Sequence, residues 1–137
     1  DKIKKRELFR PFAPSVIEEE CHNFFDIKQA SPYMNIVANV HEEKKKIIPA
    51  ITHIDGTARV HTVSFDSNPM YYNLLKKFGE QTGIPVLLNT SFNIQEPIVS
   101  SPTDAIQTFL NSGVDLLVIG NYICDLQWKN ENLAKEY

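Results

Sequence analysis

NPMYYNLLKKFGEQTGIPVLLNTSFN, residues 68–93, is the stretch that decides the fold. Asn68-Pro69 is an N-cap followed by proline at the first helical position. Met70, Tyr71, Leu74, Leu75 and Phe78 then form an apolar stripe at helical spacing, and Gly83 supplies a stop. The spacing predicts a helix over 69–82. Pro85 to Asn89 follows at once as a strand, and Val86-Leu87-Leu88 is a continuous apolar run of the kind covered on both faces. The strand runs straight into Asn89-Thr90-Ser91-Phe92-Asn93, and in open α/β sheets ligands bind at that end of a strand.

The same alternation extends in both directions. Downstream, Ser101-Pro102 opens a helix over 102–112, with Asp104 in its first turn, where the helix dipole favours a negative charge. Its Ile106, Phe109 and Leu110 are apolar, Gly113 ends it, and Leu116 to Ile119 reads as a second fully covered strand. Upstream, Val16, Ile17, Cys21, Phe24 and Phe25 fall on one face at helical spacing, predicting a helix over 16–26. Tyr33 to Val40 and Ala58 to Val63 read as strands. Helices interleaved with apolar strands argue for an α/β fold, with α+β as the alternative. The sheet is expected to be open, twisted and flanked by helices, and mixed in direction, since sequence does not fix strand order.

At 137 residues the chain suits one domain, and 42% hydrophobic with 23% charged residues is an ordinary globular composition. A formal net charge of −3 argues against a non-specific nucleic-acid binder. Cys21 and Cys124 lie far apart and read as buried free thiols of a reducing cytoplasm. No apolar run approaches the roughly 20 residues that span a bilayer, so a membrane partner is not expected. The opening at Asp1, inside a charged segment, suggests a piece of a longer protein. His22 and His41 read as incidental, Glu42 to Lys46 as a solvated charged stretch, and the tail around Trp128 and Tyr137 as loosely packed.

Three clusters could carry chemistry. In KIKKRELFRPF, Lys4, Arg6 and Arg10 point to one side if the segment is extended, a set of cations suited to phosphates; spacing alone favours a solvated basic end of the domain. In THIDGTARVHTV, His53, Asp55, Thr57, Arg59 and His61 share a face if the strand is continuous. That face reads as an active-site floor or as the solvent side of an edge strand, and Gly56 can break the alternation as a bulge. His53 and Asp55 alone make too small a set for a metal. Asn89, Thr90, Ser91 and Asn93 supply hydroxyls and carboxamides able to read phosphate oxygens or a small planar group, or else simply form a turn.

Taken together, KKRELFRPFAPSV, SPYM, IPAITHIDGTARVHTV, NPMYYNLLKKFGEQTGIPVLLNTSFN and EPIVSSP resemble the C-terminal domain of the carbamoyltransferase family, which includes nodulation-factor and antibiotic O-carbamoyltransferases. Lys4-Lys5-Arg6 is similar to the K-x-R element of YrdC-like threonylcarbamoyl-adenylate synthases, and Arg10 stands where they place another cation. Thr90-Ser91-Phe92-Asn93 is similar to their T-S-x-N element. The resemblance departs at two points: Gln is expected where His61 follows ARV, and a glycine is expected between NTSFN and EPIV, where Ile94-Gln95 stands.

The resemblance implies a YrdC-like domain that makes carbamoyl-adenylate from carbamoyl phosphate and ATP. An N-terminal, actin-like-ATPase-type domain of the same polypeptide would then move the carbamoyl group to a hydroxyl. It implies Mg²⁺ on the phosphates and iron only in that N-terminal domain. Lys4, Arg6, Arg10, Asn89, Thr90, Ser91 and Asn93 would bind nucleotide and carbamoyl group, while Arg59 acts in the site with His53 and Asp55 placed to position it or the substrate. No protein-held metal is expected in this domain. Two other readings stay open, a nucleotide- or RNA-binding YrdC-like module without catalysis and a scaffolding domain. A homodimer also stays open.

Overall fold

A computed structural model describes residues 11–133. The chain divides into two compact units, residues 8–90 and a second that takes in the residues from Ser91 onward. The first is built on a five-stranded mixed sheet. Its strands are β1 (Ala13–Ile17), β2 (Phe25–Asp26), β3 (Ile36–Val40), β4 (Thr57–Val63) and β5 (Val86–Asn89), in the order β2-β3-β4-β1-β5. β1 runs parallel to β4, with Ser15 opposite His61, and antiparallel to β5, with Ala13 opposite Asn89. β3 is antiparallel to both β2 and β4. The expected α/β class and open mixed sheet are what the chain adopts.

β1 is an inner strand between β4 and β5, buried along its whole length, and it corrects the expected helix over 16–26. Val16, Ile17, Cys21, Phe24 and Phe25 are indeed all buried. They are delivered by the end of β1, a 3₁₀ turn over Glu18–Asn23 and the start of β2. Helical spacing recorded the burial correctly and the backbone wrongly, because a strand end followed by one tight turn returns side chains to the same core. Pro14 conceals β1 in the sequence, since proline cannot donate to a ladder. It is tolerated because parallel pairing with β4 starts only at Ser15.

α1 (Pro69–Thr82) matches its predicted bounds. Asn68 Oδ1 accepts from the Tyr71 N–H at 3.1 Å, and Gly83, at φ 75°, closes the helix with its N–H on the Gly79 carbonyl at 2.8 Å. Leu75 is fully buried against Ile17 and Val63, so α1 covers one end of one sheet face. The opposite face carries the larger core, where Val16, Ala58, Val60 and Val86 meet Phe24, Phe25, Ile48 and Ile51.

In the second unit, α2 (Pro102–Asn111) packs with the hairpin of β6 (Leu117–Ile119) and β7 (Tyr122–Cys124), and α3 (Leu126–Leu133) follows. Ser101 and Asp104 form a reciprocal capping box, each side chain accepting from the other's backbone N–H at 3.1 Å. Ala105, Phe109, Leu117 and Cys124 are its buried core. The start of the tail expected to be loose is built in: Asp125 Oδ1 caps α3 at the Trp128 N–H, Trp128 packs beside Phe109, and buried Lys129 donates to the Ser112 carbonyl, while Tyr137 lies outside the described residues. Continuous apolar runs did not mean covering on both faces, for Leu88, Leu116 and Val118 are exposed. β5 is an edge strand and β6 pairs only with β7, which leaves those side chains uncovered. Cys21 and Cys124 are buried free thiols, and burial pushes the Cys21 thiol up to about 11. No helix among the described residues is long and apolar enough to cross a membrane.

Candidate functional site

The sheet face that α1 covers is apolar at one end only. Strand alternation puts Ala13, Ser15 and Ile17 of β1 on it, with Leu87 and Asn89 of β5 and Thr57, Arg59, His61 and Val63 of β4. Ile17, Val63 and Leu87 lie under α1. Next to them the face turns polar: Ser15 Oγ is 2.8 Å from His61 Nδ1, and Asn89 Nδ2 is 3.0 Å from Ser15 Oγ and 3.2 Å from His61 Nδ1. Ser15 is fully buried, so these bonds satisfy a hydroxyl that would otherwise be costly to bury. His61 stacks on Tyr71 of α1 with ring centroids 6.2 Å apart, and burial holds its imidazole below the ordinary pKa.

Met34 closes this cluster, its sulfur 3.6 Å from Asn89 Nδ2. Met34 has φ 56°, the only described non-glycine residue in left-handed backbone, a conformation that costs on the order of 1–3 kcal/mol and gathers at functional sites. The turn holding it is anchored to β4: the Ser31 N–H donates to Thr62 Oγ1 at 2.7 Å, and the Thr62 N–H donates to the Ser31 carbonyl at 3.0 Å. Ser15 and Met34 were not among the predicted site residues, and His61 was placed on the candidate face of β4 without a role of its own. The signals were present in RPFAPS, SPYM and the alternation of THIDGTARVHTV, but the helical reading of 16–26 hid the strand that carries Ser15.

Arg59 lies on the same face two residues before His61, and its side chain is exposed. His53 and Asp55 do not continue that face. Gly56, at φ 81°, ends the extended run, and a tight turn forms in which the His53 N–H bonds the Thr57 carbonyl at 2.7 Å. Asp55 Oδ1 accepts from Thr57 Oγ1 at 2.7 Å and from its N–H at 3.0 Å. Those bonds keep the exposed Asp55 carboxyl below its ordinary pKa. The shared polar face thus starts at Thr57, because at Gly56 a turn, rather than the bulge allowed for, breaks the alternation.

Asn89 ends β5, and Thr90 follows it, exposed. In the second unit Ser91 Oγ donates to Asn93 Oδ1 at 2.7 Å, and Asn93 Nδ2 donates to the Glu96 carbonyl at 2.6 Å. Glu96 accepts from the Ile94 and Gln95 N–H groups, each at 2.9 Å, and from Thr108 Oγ1 at 3.0 Å. These donors bring its carboxyl down to about 2. The short Ile94-Gln95 link is therefore folded over a carboxylate, and with α2 it walls a cleft of about 440 Å³. Lys4, Arg6 and Arg10 lie outside the described residues. Among the described residues no three His, Cys, Asp or Glu side chains could hold a metal ion.

Comparison with known proteins fits this arrangement to a family. Residues 1–125 match the model of the family described as carbamoyltransferase C-terminus. The chain is 50% identical over 125 residues to nodulation protein NolNO of Sinorhizobium fredii, covering 88% of this chain and 18% of that protein. It is 49% identical to nodulation protein NolO of Bradyrhizobium diazoefficiens, over 88% of this chain and 23% of the relative. Against the 3'-hydroxymethylcephem-O-carbamoyltransferase of Amycolatopsis lactamdurans it is 35% identical, with the same 88% and 23% coverage. The chain thus spans about a fifth of the length of these relatives. By sequence, the chain belongs to the carbamoyltransferase C-terminus family.

Proposed function

We propose that this domain carries the adenylate-forming step of an O-carbamoyltransferase. Carbamate, formed by attack of water on carbamoyl phosphate with release of phosphate, attacks the α-phosphorus of ATP; carbamoyl-adenylate forms and pyrophosphate leaves. The observation that carries this reading is the polar end of the α1-covered sheet face, with exposed Arg59 beside the Ser15–His61–Asn89 network, in a chain of the carbamoyltransferase C-terminus family. Negative charge grows on phosphoryl oxygens during the attack, and fixed cations and donors lower that barrier. By resemblance, Lys4, Arg6 and Arg10 add cations, and Thr90, Ser91 and Asn93 add donors. His53 and Asp55, placed in the turn before β4, support Thr57 and the start of the strand that bears Arg59.

Among the described residues there is no acidic or histidine cluster to cage Mg²⁺, so the ion would arrive on the nucleotide's own phosphates. Transfer to a hydroxyl belongs in this proposal to an N-terminal, actin-like-ATPase-type domain, in keeping with the greater length of the relatives and the hydroxymethyl acceptor in the name of one of them. The test is pyrophosphate release from ATP in the presence of Mg²⁺, with and without carbamoyl phosphate. Release that depends on carbamoyl phosphate is expected, and Arg59→Ala should weaken ligand binding by about 1.5–3 kcal/mol, the range for a hydrogen bond between charged groups. Release indifferent to carbamoyl phosphate would overturn the adenylate reading.

A further inference from the structure

His61 stands at the polar end of the sheet face without an assigned role, and the hydrogens around it can be placed. The Asn89 amide nitrogen, 3.2 Å from Nδ1, only donates. A proton on Nδ1 would set two donors against each other, so Nδ1 is the acceptor. The bonds then run in one direction, from Asn89 Nδ2–H to Ser15 Oγ at 3.0 Å and from Ser15 Oγ–H to Nδ1 at 2.8 Å. The neutral ring therefore carries its proton on Nε2.

This lock is part of the sheet itself. Ser15 and His61 are register partners across β1 and β4, Ala13 pairs with Asn89 across β1 and β5, and Tyr71 stacks on the imidazole. Among the described residues nothing hydrogen-bonds Nε2, and the Arg59 guanidinium two positions earlier on the same face has no ion pair. A neutral donor and a permanent cation thus share one face, both without a protein acceptor among the described residues.

We propose that His61 is a ligand-binding residue, whose Nε2–H donates together with the Arg59 guanidinium to the oxygens of a small oxyanion. Under the function proposed above, on which this inference rests, that oxyanion is carbamoyl phosphate. Ser15 and Asn89 are the positioning residues that fix the tautomer.

The experiment compares His61→Ala and His61→Gln with the parent in the full-length protein, by pyrophosphate release against carbamoyl phosphate and ATP, with thermal melting as a check on folding. Glutamine keeps a neutral N–H donor and alanine does not. His61→Ala is expected to raise the KM for carbamoyl phosphate about tenfold or more, as for a lost hydrogen bond to a charged group, with the KM for ATP unchanged. His61→Gln should stay within about threefold of the parent, since its donor to the charged group is retained. An unchanged KM for carbamoyl phosphate in His61→Ala overturns the role of His61 and leaves the adenylate reading standing. If the parent itself releases no pyrophosphate, the adenylate reading fails, and ¹⁵N-histidine spectra with added inorganic phosphate decide the inference. A protonated Nε2 that shifts saturably with phosphate supports it; a protonated Nδ1, or no shift, overturns it.

Discussion

Glu96 and His61 illustrate two uses of a polar side chain at the residue scale. The Glu96 carboxylate collects two backbone N–H groups and a threonine hydroxyl, and the fold of residues 94–97 depends on its charge. Its carboxyl sits at about 2 against an ordinary 4.5, so the folded state binds this proton less readily than the unfolded one. Its contribution to stability is therefore complete above pH 4.5 and is lost as pH falls from 4.5 towards 2. Asp104, held down by Ser101 and Ser100, acts in the same direction. Melting temperature followed across that window should fall for the parent and fall less for Glu96→Gln, with Asp104 and Asp55 supplying the remainder; equal slopes would show that the Glu96 charge does not hold the loop. Legibility at this scale was uneven. Arg59 and Asn89 were found from strand alternation and strand ends, and both lie on the polar sheet face. Ser15 was missed, because a serine between Pro14 and Val16 signals a functional strand only once its two neighbouring strands are known. His53 and Asp55 were grouped with Arg59 by a period-two pattern that the positive φ of Gly56 interrupts.

At the scale of elements, α1 and α2 were readable to within a residue because each begins with a capping side chain and proline, a local code that needs no tertiary information. β1 was not, since its burial on both faces comes from β4, β5 and the cores around them, all distant in sequence. Gly79 shows the same dependence on distant context. In an isolated helix an interior glycine is worse than alanine by roughly 0.5–1 kcal/mol. Here a Cβ at position 79 would lie 2.7 Å from the Pro85 Cβ and 3.1 Å from its Cα, and a proline ring has little freedom to retreat. The steric conflict outweighs the propensity gain, so Gly79→Ala should destabilise by about 1–3 kcal/mol, the usual cost of overpacking. Gly83→Ala meets no atom within 4 Å, and its cost, about 1 kcal/mol, comes only from the left-handed backbone. Urea titrations of the two variants separate the cases: a neutral or stabilising Gly79→Ala would mean that the contact between α1 and the start of β5 is looser than these distances require.

At the scale of the whole chain, the two units divide the burial between them. Among the described residues, the buried clusters around Val16 and Leu75 draw on residues up to 90, and the cluster around Phe109 draws on residues beyond it. Two separate cores predict two separable losses of stability. Leu75 is fully buried between Ile17 and Val63, so Leu75→Ala removes a packed side chain and leaves a cavity, at about 2–5 kcal/mol. Phe109 is fully buried as well, and supports Trp128 and the Lys129 ammonium, 5.0 Å from its ring centre; Phe109→Ala should cost about 3–5 kcal/mol. Trp128 is the one tryptophan in the sequence, so its fluorescence follows the Phe109 core alone, whereas far-ultraviolet circular dichroism follows both units. Leu75→Ala should therefore lower the dichroism transition and leave the Trp128 midpoint in place, while Phe109→Ala lowers the Trp128 midpoint. The double variant should show both effects added, as expected for sites without shared partners. If either single substitution moved both signals by the same amount, the chain would unfold as one cooperative body, and the separate cores would not be separate units of stability.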